Sequence, residues 1–212
     1  GTGNNSKTDT TTATIAIGDY GDAPDSYGTD ASNTSGEGFG ARHTISSNLR
    51  LGNSTTDAES NGFPTTAANG DDNNGTDDED GVASFNPLLT SQVNSSYQVT
   101  VSLGNTTGSN ANLVGWIDFD RNGKFDADEA ATATVANNAT SANLSFNIPN
   151  DIQAGTTYAR FRLTTDSING SNPTGATSNG EVEDYSLRIT STDYGDAPND
   201  LTSIDASLTN IY

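Results

Sequence analysis

Between residues 93 and 190, apolar and polar residues alternate in short runs. Tyr97, Val99, Val101 and Leu103 form one series. Leu144, Phe146 and Ile148 form a second, Ala159, Phe161 and Leu163 a third, and Tyr185, Leu187 and Ile189 a fourth. A period of two puts every apolar side chain of a run on one face of a strand. The stretches 114–117 and 131–135 add two more β-prone runs, and Asn, Gly and Ser separate them all. The pattern predicts an all-β chain, an antiparallel β-sandwich of jelly-roll or immunoglobulin-like kind with one buried face per sheet. No stretch has the period of an amphipathic helix; residues 150–156 (NDIQAGT) suit a single turn. Residues 19–92 are rich in turn formers and poor in strand patterns, so long loops are expected there.

The hexapeptide DYGDAP occurs twice, at residues 19–24 and at 193–198, and each copy follows a β-prone stretch. This repetition divides the chain into an N-terminal arm or linker (1–18), one complete module (19–190) and a third segment (191–212). The third segment is read as the start of a second, degenerate repeat or as a C-terminal assembly segment.

Charge narrows the function. The 212 residues carry 28 acids against 8 bases, a formal charge of −20. Such a polyanion is repelled by phosphate backbones and anionic lipid, which argues against nucleic acid and membrane partners. No run of about 18 apolar residues is present to span a bilayer. No basic and then apolar leader opens the chain, so an exported protein would have lost its signal. With no Cys, disulfide scaffolds, thiolate zinc sites and Cys nucleophiles are excluded. The acids are 22 Asp and only 6 Glu, the bias of turns and hard-cation ligands rather than of helix faces.

The sharpest chemical signal is residues 118–129, DFDRNGKFDADE. It matches the calcium-loop pattern D-x-D-x-N-G-x₅-E throughout. Asp118, Asp120 and Asn122 are the expected side-chain ligands, and Lys124 would offer its carbonyl. Asp126 would bind directly or through water, Glu129 would bind through both oxygens, and Gly123 would make the sharp turn. The flanks are β-prone rather than helical, so a structural calcium site is expected rather than a sensor. A solvated acidic hairpin loop is the alternative.

Residues 71–80 (DDNNGTDDED) place six acids in ten positions. So many neighbouring carboxylates repel unless they are solvated or neutralised. Asp71, Asp72, Asp77, Asp78 and Asp80 are therefore candidate metal ligands, with a disordered acidic loop as the alternative. The following GVASF (81–85) predicts a buried strand that anchors the cluster.

Seven motifs stand in order along the chain: DYGDAPDSYGT, ARH at 41–43, LG with DAE at 51–59, GDD with DDEDGV at 70–82, WIDFDRNGKFD, YARFRL at 158–163, and GEVEDY at 180–185. Over about residues 17–190 the chain resembles the GEVED domain, a repeated β-module of large secreted and cell-surface bacterial proteins. The resemblance implies an extracellular module without an established enzymatic activity. It also groups the acids: Asp19 and Asp22 in the opening motif, Glu181 and Glu183 in the last. By alternation Glu181 and Glu183 share one strand face, opposite Asp184. If the opening motif, the 71–80 cluster and this strand converge, one or two calcium sites join that of the loop. Otherwise Glu181 and Glu183 form a solvent face or pair with Arg160, Arg162 or Arg188.

His43, the one histidine, is expected to hydrogen-bond a nearby carboxylate, and Trp116 to lie in the core. No motif supports a Ser-His-Asp triad or a glycosidase acid in an apolar setting, so no enzyme is expected. The nine N-x-S/T sequons follow from composition. The expected function is a calcium-stabilised structural module of a surface adhesin, stalk or filament. Its expected partners are calcium and neighbouring copies or adjacent repeats, joined by strand addition through the terminal segments (14–17, 201–212). The alternative is a calcium-dependent module that binds surface glycans.

Overall fold

A computed structural model describes residues 18–31, 39–70 and 77–192. The arm before Gly18, the second DYGDAP copy, the segment after Thr192, and Asp71 and Asp72 lie outside the described residues.

Among the described residues eleven strands follow one another: β1 (Asp19–Tyr20), β2 (Arg42–His43), β3 (Leu49–Leu51), β4 (Leu88–Leu89), β5 (Ser96–Asn105), β6 (Ala111–Ile117), β7 (Ala130–Val135), β8 (Ser141–Asn147), β9 (Gly155–Thr164), β10 (Ala176–Thr177) and β11 (Glu181–Thr190). The alternating runs of the sequence are β5, β8, β9 and β11. They sit in two facing sheets, ordered β4-β11-β9-β6-β7 and β3-β5-β8. A small third sheet, β1-β2-β10, belongs to the loop-rich part. Residues 81–85 are not a strand, contrary to the expectation; Val82 is buried, but the chain there is irregular. The cause lies in its partners, since Gly81 and Val82 donate their N–H groups to the side chains of Glu183 and Tyr185 instead of to a strand.

The sandwich core lies between the two larger sheets. Val99, Val101 and Leu103 of β5 and Leu144 and Phe146 of β8 face Leu113, Phe161 and Leu163 of the larger sheet. Gly115 in the middle of β6 is required by this packing, because a Cβ there would lie 2.7 Å from Leu144 Cδ1. On the other face of β5 and β8, Gln98 opposes Ser145 and Thr100 opposes Asn143, all exposed.

The larger sheet is covered on its second face too. There β6 presents Val114 and Trp116, β9 presents Arg160 and Arg162, and β11 presents Asp184, all buried. Residues 18–31, the segment around His43 and the turn region 165–180 lie over them. Buried ions tie them down. Arg160 donates to both oxygens of Asp184 at 2.7 Å, to the carbonyls of Tyr27, Gly28 and Pro173, and to Thr29 Oγ1. Arg162 donates to the carbonyls of Asn172, Thr174 and Gly175 and through Nε to His43 Nε2 at 3.0 Å. Buried guanidinium groups persist only when their donors are satisfied in this way.

Candidate metal site

The ladder of β6 runs one residue past its end: Asp118 N–H donates to the carbonyl of Tyr158, and Thr157 Oγ1 donates to the carbonyl of Asp118. The Asp118 backbone is thereby fixed, and the chain turns back toward β7. Gly123 takes φ +85°, a left-handed conformation that favours glycine. A short 3₁₀ turn (Ala127–Glu129) then leads directly into β7, so the loop joins two strands, as its flanks predicted.

Inside the loop, Asp118 accepts from the N–H groups of Asn122 and Gly123 at 3.1 and 3.0 Å. Asp120 accepts from Asn122 N–H, and Glu129 accepts from the N–H groups of Phe119 and Asp126. Asp118, Asp120 and Glu129 each bring one carboxylate oxygen to within 4.8 Å of the others. Among the described residues, only these three carboxylates meet so closely. Asn122 amide N–H groups reach Asp120 and Asp126, and its oxygen accepts from Lys124 N–H. Asn122, Lys124 and Asp126 thus belong to the loop's hydrogen-bond network but stand outside the trio.

Glu129 and Asp118 are both buried. Burial, reinforced by Asp118, pushes the Glu129 carboxyl up to about 8. Burial also raises Asp118, and the hydrogen bond from Tyr27 holds it partly back. Anions crowded in a poorly hydrated place are stabilised by protons or by a cation.

Two residues here escaped the sequence reading. Tyr27 Oη donates to Asp118 Oδ2 at 2.5 Å. It is held against Phe125 and Tyr158, with ring centroids 4.6 and 5.1 Å away. Tyr27 stands in the opening motif, 91 residues from Asp118, and only its place among the acids of DAPDSYGT hints at the role. Asp151 lines a cleft of about 50 Å³ together with Asp120, Asp126, Asp128 and Glu129. It follows Pro149 in a turn, with no motif to mark it.

The second grouping of acids is assembled from distant segments. Glu181 and Glu183 point from β11 to the same side as Tyr185, Leu187 and Ile189, so they share a face opposite Asp184, as alternation required. They form no solvent face, since both are buried, and Arg160 pairs with Asp184 instead. Glu181 accepts from Leu51 N–H at 2.5 Å. Glu183 accepts from the N–H groups of Asp80 and Gly81 and from Tyr185 Oη. Asp19 accepts from Val182 N–H, Asp78 from Asp57 N–H, and Asp80 from the N–H groups of Asn53 and Ser54.

Burial first and Glu183 second push Glu181 up to about 9. Burial likewise pushes Glu183 up to about 8. Asp19 is raised by burial and by Glu181, with Glu59 and Asp78 adding to it. The opening motif, the end of the acidic cluster and β11 therefore do converge at this junction. Asp77 is exposed, and Asp22 lies apart, accepting from Gly70 N–H at 2.6 Å.

His43 departs from its expected partner. It is fully buried, with Nδ1 3.1 Å from the carbonyl of Asn179 and Nε2 accepting from Arg162. The Nδ1–H tautomer satisfies both contacts. A carboxylate partner is not needed, because Arg162 brings a donor and so selects a neutral ring. Burial and the Arg162 charge hold its pKa well below the usual histidine range. Trp116 is in the core as expected, with Nε1–H donating to the carbonyl of Gly170.

A search of curated proteins gives no match. Residues 112–188 match the family model of the GEVED domain. The resemblance to the GEVED domain is thus matched over the stretch that runs from β6 through the acidic loop to β11.

Proposed function

We propose that this chain is a non-enzymatic, calcium-stabilised structural module of a bacterial extracellular adhesin, stalk or filament. One observation carries the reading: Asp118, Asp120 and Glu129 converge to within 4.8 Å in a loop whose order of residues matches a calcium loop. The donors are all hard oxygens, which suit calcium rather than a soft transition metal. Asp118, Asp120 and Glu129 would hold the ion, with Asn122, Asp126 and the Lys124 carbonyl completing the shell. Bound calcium would supply the positive charge that the buried Glu129 calls for. Tyr27 orients Asp118 from outside the ligand shell, a role typical of such supporting hydrogen bonds. The junction of Asp19, Asp78, Glu181 and Glu183 is the second proposed calcium site. Calcium is plentiful outside cells, which fits an extracellular place.

A non-enzymatic role is supported by His43, whose two ring nitrogens are both engaged in the interior. Assembly by strand addition is supported by the sheet edges. β7 and β8 end their sheets, and neither has the Lys or Pro that commonly guards an edge. Deleting residues 199–212 is expected to abolish polymers; polymers of unchanged length would refute that part. The calcium part is tested by calorimetric titration of the chelated protein with calcium, where absence of a binding heat in both the wild type and a Glu129→Gln control contradicts it.

Glycan binding is the second reading, favoured by the outer face of β3-β5-β8, whose exposed side chains on β5 and β8 are uncharged hydroxyls and amides.

A further inference from the structure

The chain has few cations, and most of them have partners. Arg160 and Arg162 are fully engaged in the interior, Arg121 donates to the carbonyls of Ala154 and Thr156, and Arg42 reaches Tyr20 Oη. Arg50 differs. Among the described residues nothing hydrogen-bonds or ion-pairs with its side chain, whose buried Nε has no acceptor.

Arg50 is the middle residue of β3, opposite Gly104 of β5. Leu49 and Leu51 face the core, so Arg50 lies on the outer face. Its guanidinium lies over Gly104, with Cζ 3.7 Å from the point where a Cβ would stand. The strands beside it are without charge, since residues 82–117 and 130–150 contain no Asp, Glu, Lys or Arg, and the Asp80 carboxylate next to the clefts is engaged by the N–H groups of Asn53 and Ser54 and by Ser54 Oγ. In a molecule of net charge −20, an anion approaching across β5 and β8 passes uncharged side chains to reach this cation.

Arg50 also lines two clefts. One, of about 300 Å³, holds Ser46, Ser47, Ser54, Thr55 and Thr56. The other, of about 260 Å³, holds Asn48, Asn53, Thr106, Asn138 and Thr140. Hydroxyl and amide groups both donate and accept, which is what sugar hydroxyls require. A guanidinium fork with open donors matches a carboxylate. A second copy of the chain would bring its own −20 to this contact, whereas a short uronate oligosaccharide brings only a few charges.

We propose that Arg50 anchors the carboxylate of an acidic, uronate-type saccharide, whose neighbouring sugar units lie in the two flanking clefts. This rests on the glycan-binding reading; one cleft borders the junction, where Thr56 hydrogen-bonds Glu181, so calcium is held constant in the test.

The test is calorimetric titration of the full chain with trigalacturonate and with galactotriose, at one fixed free calcium concentration. Trigalacturonate should bind at least about tenfold more tightly than the neutral trimer, a preference typical of charge-assisted Arg–carboxylate bonds. Arg50→Gln should abolish the preference with no change in melting temperature, since Arg50 has no partner to lose. Gly104→Val, which crowds the guanidinium but keeps its charge, should weaken trigalacturonate binding as well. Equal binding by Arg50→Gln and wild type overturns the proposal. Equal affinity for both trimers overturns it while leaving the glycan reading intact, and no binding of either overturns both. Sedimentation in which wild type dimerises, Arg50→Gln does not, and trigalacturonate has no effect assigns the carboxylate to a second copy and also overturns it.

Discussion

The 118–129 loop and the junction under β11 both bury carboxylates, but they are built differently. In the loop, the carboxylates come from twelve consecutive residues and are oriented by the N–H groups of the same turn. In the junction they come from β1, from residues 78–80 and from β11, and each is held by an N–H group of another segment. The loop brings three oxygens together; the junction spreads its acids over several backbone anchors. A local turn can be tuned to one ion by its own geometry. An assembled junction has to satisfy the fold first, and protons serve that purpose as well as calcium does.

Removing calcium should have the largest effect. A site kept at about a thousand times its Kd adds about 4 kcal/mol to the native state. For a chain of this size that is a melting shift of roughly 10 °C per site. Scanning calorimetry with calcium and with chelator measures it, and coincident curves would contradict calcium binding at both places.

Glu129→Gln separates the two regions next. It should remove the loop's share of the calcium response, and any remainder belongs to the junction. The double variant Glu181→Gln, Glu183→Gln then divides two outcomes. Loss of the remainder means that the junction holds calcium. An unchanged calcium response with a more stable chelated protein means that the junction holds protons.

The pH dependence of the chelated protein sharpens the same contrast. Glu129 and Glu183 titrate near 8 and Glu181 near 9 in the fold, against 4.5 ordinarily. Between about pH 4.5 and these values the folded chain binds more protons than the unfolded one, so stability falls as pH rises. His43, lowered from 6.5, opposes this only below that ordinary value, where the unfolded ring becomes charged. From pH 6.5 to 8 the chelated melting temperature should therefore fall, and calcium should flatten the fall. A rising curve in chelator would refute the assignment of buried protonated glutamates.

Tyr27→Phe should have the smallest effect. It removes the donor to Asp118 while keeping the ring against Phe125. Calcium affinity of the loop should drop about tenfold with the junction unaffected, as read by titration of the Tyr27→Phe protein. Unchanged affinity would make Tyr27 a packing residue only.

The contrast also explains what could be read from sequence. The sandwich was legible because β5, β8 and β9 each alternate at period two. The loop was legible because its acids are nearly contiguous, so spacing alone encodes their geometry. The resemblance grouped the opening motif with GEVED but left their convergence as a condition, since Asp19 and Val182 lie 163 residues apart. The expectation of a strand at 81–85 failed because side chains of β11 capture its N–H groups. The partner of His43 was missed because Arg162 alternates with Phe161 and Leu163 onto the face that the loops cover. Tyr27 and Asp151 depend on tertiary placement, which no local pattern carries.

Arg160 ties the two halves of the chain together in time as well as in space. Its acceptors on Tyr27 and Gly28 lie more than 130 residues before it, and Asp184 lies 24 residues after it. As the chain emerges from its N-terminus, residues 18–31 lack this anchor until β9 and β11 have paired. The cover should therefore close last, and pulse proteolysis during refolding should cleave residues 18–31 after β5 and β8 have become resistant. The first part of the module to leave the ribosome would then be the last to become native.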